Sequence, residues 1–144
     1  MDTNSLHSQI VEFINSHNLG VISTVALGGS QPESALVAFC NDDKLNLVIG
    51  TSNQSRKYVN LKSNPKIAFV IGWDSKRGSV QYEGIAQEID QGEEDRYTQM
   101  LIERNEASGK FLGLEDQRYF LITPTWVRFT NRSGGEQEVN ELTF

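Results

Sequence analysis

Short β-prone runs, each ended by a tight turn, occupy most of this 144-residue chain from Val21 onward and leave few folds open to it. Val21 to Leu27, Ser34 to Phe39 and Leu45 to Ile49 are separated only by Gly28-Gly29-Ser30 and Asn41-Asp42-Asp43, residues that favour turns. Links this short require antiparallel neighbours, so the three runs predict a meander. Ile67 to Ile71 resumes the sheet, Asp74 to Gly78 turns it back, and Val80 to Ile89 forms a fifth strand. Its alternation puts Val80, Tyr82, Gly84 and Ala86 on one face and Gln81, Glu83, Ile85 and Gln87 on the other, with Gly84 at a bulge or bend. A last strand runs through Tyr119 to Ile122 and, past Thr123-Pro124, Trp126 to Phe129. Six short strands predict a mainly β fold with flanking helices, closed into a small antiparallel barrel because closure removes exposed edges.

Three segments read as helices. Asn4 or Ser5 can cap a first one, in which Leu6, Ile10, Phe13 and Ile14 make an apolar stripe before Gly20. A second covers Lys57 to Lys62 and stops at Asn64-Pro65, and a third covers Gly92 to Glu106. After Asn131 the chain is polar, with Val139, Leu142 and Phe144 as its only anchors. With 38% hydrophobic and 22% charged residues, the chain is expected to be one globular domain over residues 1–144.

Charge distribution narrows the function. The formal net charge is −6, which disfavours a nucleic-acid or anionic-membrane surface. No stretch approaches the ~18 apolar residues of a membrane span, and the start lacks a secretory pattern, so a cytoplasmic location is expected. Cys40 is the single cysteine and His7 and His17 the only histidines, which supports neither a metal site nor a Ser-His-Asp or Cys-His catalytic set. Yet between Lys44 and Trp73 lie five basic residues and no acid. Within that stretch Gly50-Thr51-Ser52-Asn53-Gln54-Ser55-Arg56-Lys57 follows an apolar strand and opens a helix. Free N–H groups, hydroxyls and two adjacent cations there make a phosphate site, the alternative being a capped helix with a solvated basic face.

The Gly-Thr-Ser-x-x-Ser-Arg-Lys segment, with Tyr58 to Pro65, the Tyr82-Glu83-Gly84-Ile85-Ala86 strand and the closing Thr123 to Arg128 segment, resembles the FMN-binding split-barrel superfamily. This is the pyridoxamine 5′-phosphate oxidase-like group, including its general-stress-type flavoproteins. The resemblance covers about Leu6 to Phe129 and implies a six-stranded antiparallel split β-barrel. It also implies that Arg56 and Lys57 grip the FMN phosphate, that Thr51, Ser52 and Ser55 add contacts, and that the flavin ring lies along Ala35, Leu36, Val37 and Ala38. In that family the sites lie at a homodimer interface, where Trp126 would stack on or edge the flavin from the partner subunit, the alternative being a core or interface filler. The Arg-x-His element and Arg-Leu-x-Pro terminus of the true oxidase have no counterpart here, where the tail reads Glu141-Leu142-Thr143-Phe144. The expectation is therefore an FMN-dependent oxidoreductase of unspecified small-molecule substrate, with no side chain identifiable as acid or base. The alternative is a non-catalytic stress-response protein holding flavin or haem. A deazaflavin is a related cofactor, and a haem would need His7, His17, Met1, Met100, Cys40 or a tyrosine as axial ligand.

Overall fold

The computed structural model describes residues 2–144 and builds a single curled antiparallel sheet flanked by helices. The elements in chain order are α1 (Thr3–Asn15), β1 (Leu19–Val25), β2 (Pro32–Ala38), β3 (Cys40–Asn41), β4 (Leu47–Ser52) and α2 (Arg56–Ser63). They continue with β5 (Lys66–Asp74), β6 (Gly78–Glu88), α3 (Asp95–Arg104), a 3₁₀ turn (Glu106–Phe111), β7 (Gln117–Asn131) and β8 (Glu138–Thr143). The hydrogen-bonded order is β2-β1-β5-β6-β7-β4-β3, with β8 paired to the second half of β7.

This is the expected mainly β split barrel, with eight strands rather than six. Both additions, β3 and β8, have identifiable causes. Leu45, expected to begin a strand, adopts φ 67° in a turn whose Asp42 carboxylate accepts the Lys44 and Asn46 amides. The apolar run therefore starts at Leu47, and Cys40–Asn41 becomes a short separate strand against it. The tail, expected to be held by three side chains alone, pairs along β7 and buries Leu142. The helices shift as well. Asp2, not Asn4 or Ser5, caps α1 by accepting the Ser5 amide at 2.7 Å, and Ser16, before Gly20, ends it. The third helix is shorter than its apolar stripe implied, and Glu106 passes into the 3₁₀ turn.

The interior is continuous from Ile10 and Ile14 of α1, which plug one end, through Phe39, Phe69, Tyr82 and Phe120. The face of β6 carrying Val80, Tyr82, Gly84 and Ala86 is the buried one, as the alternation required. The irregularity expected at Gly84 falls on the strand opposite it: Glu83 pairs with Trp126 and Gly84 with Pro124, so Thr125 is the extra residue of β7. That irregularity makes room for a proline inside a long strand.

The barrel does not close by hydrogen bonds. Strands β2 and β4 come within 8 Å of each other, yet no ladder joins them among the described residues. An edge remains on each side of that gap, because β2 pairs only with β1, and β3 reaches only Leu47 and Val48 of β4.

A methyl group at Gly84 would sit 2.5 Å from the Thr123 carbonyl oxygen and 2.9 Å from the Tyr82 ring, neither able to retreat cheaply. Gly84→Ala is expected to destabilise the protein by about 1–3 kcal/mol, read from the midpoint of denaturant unfolding.

Candidate functional site

A cavity of about 360 Å³ occupies the gap between β2 and β4. One wall is Leu36, Val37 and Ala38 of β2; the opposite wall is Gly50, Thr51 and Ser52 of β4. Both strands are unpaired on the facing edges, so backbone N–H and C=O groups there are free for a ligand. Gly50 lets the wall come close: a side chain at this position would meet Gln117 at 2.6 Å and the Tyr119 ring at 2.9 Å. Leu101 of α3 and Ser108, Phe111 and Leu114 of the following segment also line it, with Lys57 of α2, Asp116 just before β7, and Gln117 and Tyr119 at its start.

The hydroxyls expected to contact a ligand are engaged within the turn itself. Ser55 caps α2 by accepting the Tyr58 amide at 3.2 Å, donates to the Ser52 carbonyl at 2.8 Å and lies 2.8 Å from the Thr51 hydroxyl. Ser52 donates to Asp116 at 2.6 Å and accepts the Gln54 amide. Their role in the structure is to fix the chain between β4 and α2. The N–H groups of Arg56 and Lys57, in the first turn of α2, have no carbonyl four residues earlier within the helix.

The two cations diverge in environment. Arg56 is ion-paired, 2.7 Å from Glu33 of β2, with a side chain 78% exposed. It lines a smaller neighbouring cavity of about 140 Å³ together with Ala35, Ser34 and Lys57. Lys57 lines both cavities, is half-buried, and among the described residues has no carboxylate oxygen within 4.0 Å. Burial pushes its pKa below the usual lysine value. Its ammonium is partly desolvated, with no carboxylate beside it to make up for the lost hydration.

Of the expected residues, then, Leu36, Val37, Ala38, Thr51, Ser52 and Lys57 meet in the main cavity, while Ala35 and Arg56 meet Lys57 in the smaller one. Ser55 stands behind both as the helix cap. Trp126 lies apart within this chain, on the open face of β7, with its indole N–H 3.3 Å from Glu141 and Arg128 over its ring.

Three acids were not legible as neighbours of the basic stretch. Glu33 reaches Arg56, Asp116 holds Ser52, and Glu88 accepts from Tyr58 at 2.7 Å and Lys62 at 3.0 Å. Burial pushes the Glu88 pKa up, but the hydrogen bonds from Tyr58 and Lys62 outweigh it and hold the carboxyl below its usual range. The Glu88 cluster fastens α2 to the end of β6 and leaves Lys57 alone unneutralised in the cavity.

Haem chemistry finds little here. His7 is bound to the Asp43 carbonyl, His17 is stacked near Phe13, and the buried Cys40 thiol is pushed up to about 11 mainly by desolvation. Of the candidate axial ligands among the described residues, Tyr119 alone lines the cavity; Met1 lies outside them. Those residues contain no cluster of metal-ligating side chains and no helix long and apolar enough to cross a membrane.

The family model described as pyridoxamine 5′-phosphate oxidase matches residues 6–131. The pyridoxine/pyridoxamine 5′-phosphate oxidase of Cupriavidus metallidurans is 30% identical over 80 residues, which are 56% of this chain and 37% of that protein. The chain thus spans less than two-fifths of the curated relatives it matches. Among solved structures, General Stress Protein 26 from Bacillus anthracis superposes with a TM-score of 0.77 at 20% identity, covering 96% of this chain and 98% of that one. HutZ, the heme storage protein from Vibrio cholerae, gives 0.69 at 18% identity over 94% and 92%. At these identities the superpositions speak for the fold.

An unpaired, desolvated lysine is a cost that the ligand-free chain carries. Lys57→Met is expected to raise stability at neutral pH by roughly 0.5–1 kcal/mol. Because the folded-state pKa is lowered, the penalty is fully present below it and fades as pH climbs toward the ordinary 10.5. The gain from the substitution should therefore shrink in alkaline buffer, as measured by thermal unfolding from pH 7 to 10.5.

Proposed function

Because the chain belongs to the pyridoxamine 5′-phosphate oxidase family, we propose that it binds FMN in the gap between β2 and β4 and acts as a flavin-dependent oxidoreductase on a small molecule. The observation that carries this reading is Lys57: a half-buried ammonium, facing a cavity and lacking an anion, beside two uncapped helix N–H groups. A phosphate monoester fits that donor set. The free backbone edge of Leu36 to Ala38 fits the polar rim of an isoalloxazine ring. When bound, the flavin supplies the redox chemistry. The chain's own share is to anchor the phosphate, orient the ring against β2 and keep water from part of it with Leu101, Phe111 and Leu114. Asp116 is the cavity's only carboxylate and is held by Ser52, so no side chain is assigned as acid or base.

The protein is further proposed to work as a homodimer with its cofactor sites at the interface, in the cytoplasm. Supporting this is the sheet face opposite the core. Leu36, Val21 and Val70 follow one another in register across β2, β1 and β5, and Leu36 and Val70 are 63% and 40% exposed. The next row, Ser34, Ser23, Ala68 and Glu83, ends at Trp126. An uncovered face with an apolar strip of Leu36, Val21 and Val70 beside a polar row is a surface that association would bury. Leu36 belongs both to this face and to the cavity wall, so a second copy seated here would complete the pocket and bring its Trp126 toward the ring.

The purified protein is expected to be yellow, with the paired visible bands of flavin. Lys57→Ala should weaken FMN roughly 10- to 100-fold, the worth of one charge-assisted hydrogen bond, while riboflavin, which lacks the phosphate, is unaffected. Arg56→Ala should weaken FMN by a comparable factor, since Glu33 occupies only one nitrogen of the guanidinium fork. Fluorescence titration checks both, and FMN affinity unmoved by the lysine change would refute the site. Reduction of the bound flavin by NADH or NADPH in stopped flow distinguishes an enzyme from a carrier.

Val70→Asp places a charge at the centre of the open face without touching the cavity lining. Sedimentation should then report monomer where the unaltered chain sediments as a dimer. An unaltered chain that is monomeric at micromolar concentration would rule out the assembly.

A further inference from the structure

The geometry points to Glu33 as a positioning residue for the phosphate site, one that holds Arg56 in place for an incoming phosphomonoester; this rests on the phosphate-binding reading above. Glu33 lies on β2 directly across from Thr24 of β1, and both of its carboxylate oxygens are engaged. One accepts from the Asn60 side-chain amide at 2.7 Å; the other takes the Arg56 guanidinium, also at 2.7 Å. Asn60 is 3% exposed and uses its second amide hydrogen on the Thr24 hydroxyl at 3.0 Å, itself 2% exposed. A chain of contacts therefore runs from the buried interior between β1 and α2 outward to an arginine that is otherwise in water.

An exposed arginine–carboxylate pair contributes little to stability, because solvent screens it and the long side chain must be immobilised. The immobilisation is where the function lies. A free arginine samples many rotamers and loses them on gripping an anion; one already fixed loses fewer, so the ligand binds more tightly. Arg56 is fixed at the rim of the small cavity it shares with Lys57, and only its Nη1 is committed to Glu33. The guanidinium fork keeps further N–H donors for phosphate oxygens. Glu33 also places a negative charge near the site, which taken alone would repel a phosphate. Orientation and repulsion predict opposite signs for the same substitution, which makes the proposal decidable.

The test is FMN and riboflavin affinity, measured side by side by fluorescence titration on the full chain and on Glu33→Ala, Glu33→Gln, Arg56→Ala and the Glu33→Ala/Arg56→Ala double variant. Glu33→Ala is expected to weaken FMN about tenfold, by freeing the arginine rotamers, with riboflavin unchanged. Glu33→Gln keeps an acceptor for Asn60 or Arg56 and should recover most of the loss. In the Arg56→Ala background, removing Glu33 should have no further effect. Tighter FMN binding by either Glu33 variant would show that repulsion dominates and would overturn the proposal. So would a parallel loss of riboflavin, the mark of a merely structural role, or a Glu33 effect that persists without Arg56. Failure of the underlying reading is seen separately, as an unaltered chain that binds FMN no better than riboflavin, and it removes this proposal with it.

Discussion

The architecture turns on a sheet that curls almost into a barrel and then fails to pair β2 with β4. Backbone amides and carbonyls left open by that failure would be costly if buried dry, so the gap must hold solvent or a ligand. Everything around it keeps the gap at a useful width. Gly50 keeps side-chain bulk out of one wall, α3 and its 3₁₀ extension cover the side, and α2 begins at the foot of β4. Arg104 and Asn105 hold the end of α3 to the rest: Arg104 donates to the His17 carbonyl and Asn41, and Asn105 to the Phe39 carbonyl.

The segment joining β4 to α2 shows how a site is assembled from residues that do different jobs. Its hydroxyls are spent on holding the turn, Ser55 as a cap and Ser52 as a link to Asp116. Two of the nearby cations are neutralised, Arg56 by Glu33 and Lys62 by Glu88. Lys57 is left without an ion pair among the described residues and lines the cavity, where burial disfavours its charge.

Much of this was legible along the chain because it is local. The alternation of Val80 to Gln87 gave the buried face of β6, Gly84 marked the level of the bulge on the facing strand, and Ser55-Arg56-Lys57 gave the helix start and the cations. What was hidden depends on residues far apart in sequence. The chain around Arg56 contains no acid, and its partner Glu33 is brought in by the β1–β2 pairing. Asp116 arrives from beyond α3 to take the Ser52 hydroxyl. Leu45 reads as a strand residue because an apolar side chain gives no hint of φ 67°; the Asp42 turn and the Tyr82 hydroxyl on its carbonyl impose it. The tail strand was missed for a similar reason. Its alternation is weak, and the β7 edge that receives it is itself a product of the fold.

Strand β2 ties the remaining properties together. Its outer edge faces the cavity, its Leu36 begins the uncovered apolar strip, and its Glu33 holds Arg56. A strand with three such roles cannot be altered at one without disturbing the others. If a second copy covers the open face, it also closes the cavity mouth at Leu36, so ligand binding and association act on the same residues and must be thermodynamically linked. The ligand then stabilises the dimer by the same factor by which the dimer tightens the ligand. In such a dimer that reciprocity would make the open gap in the sheet, costly to an isolated chain, a stable feature.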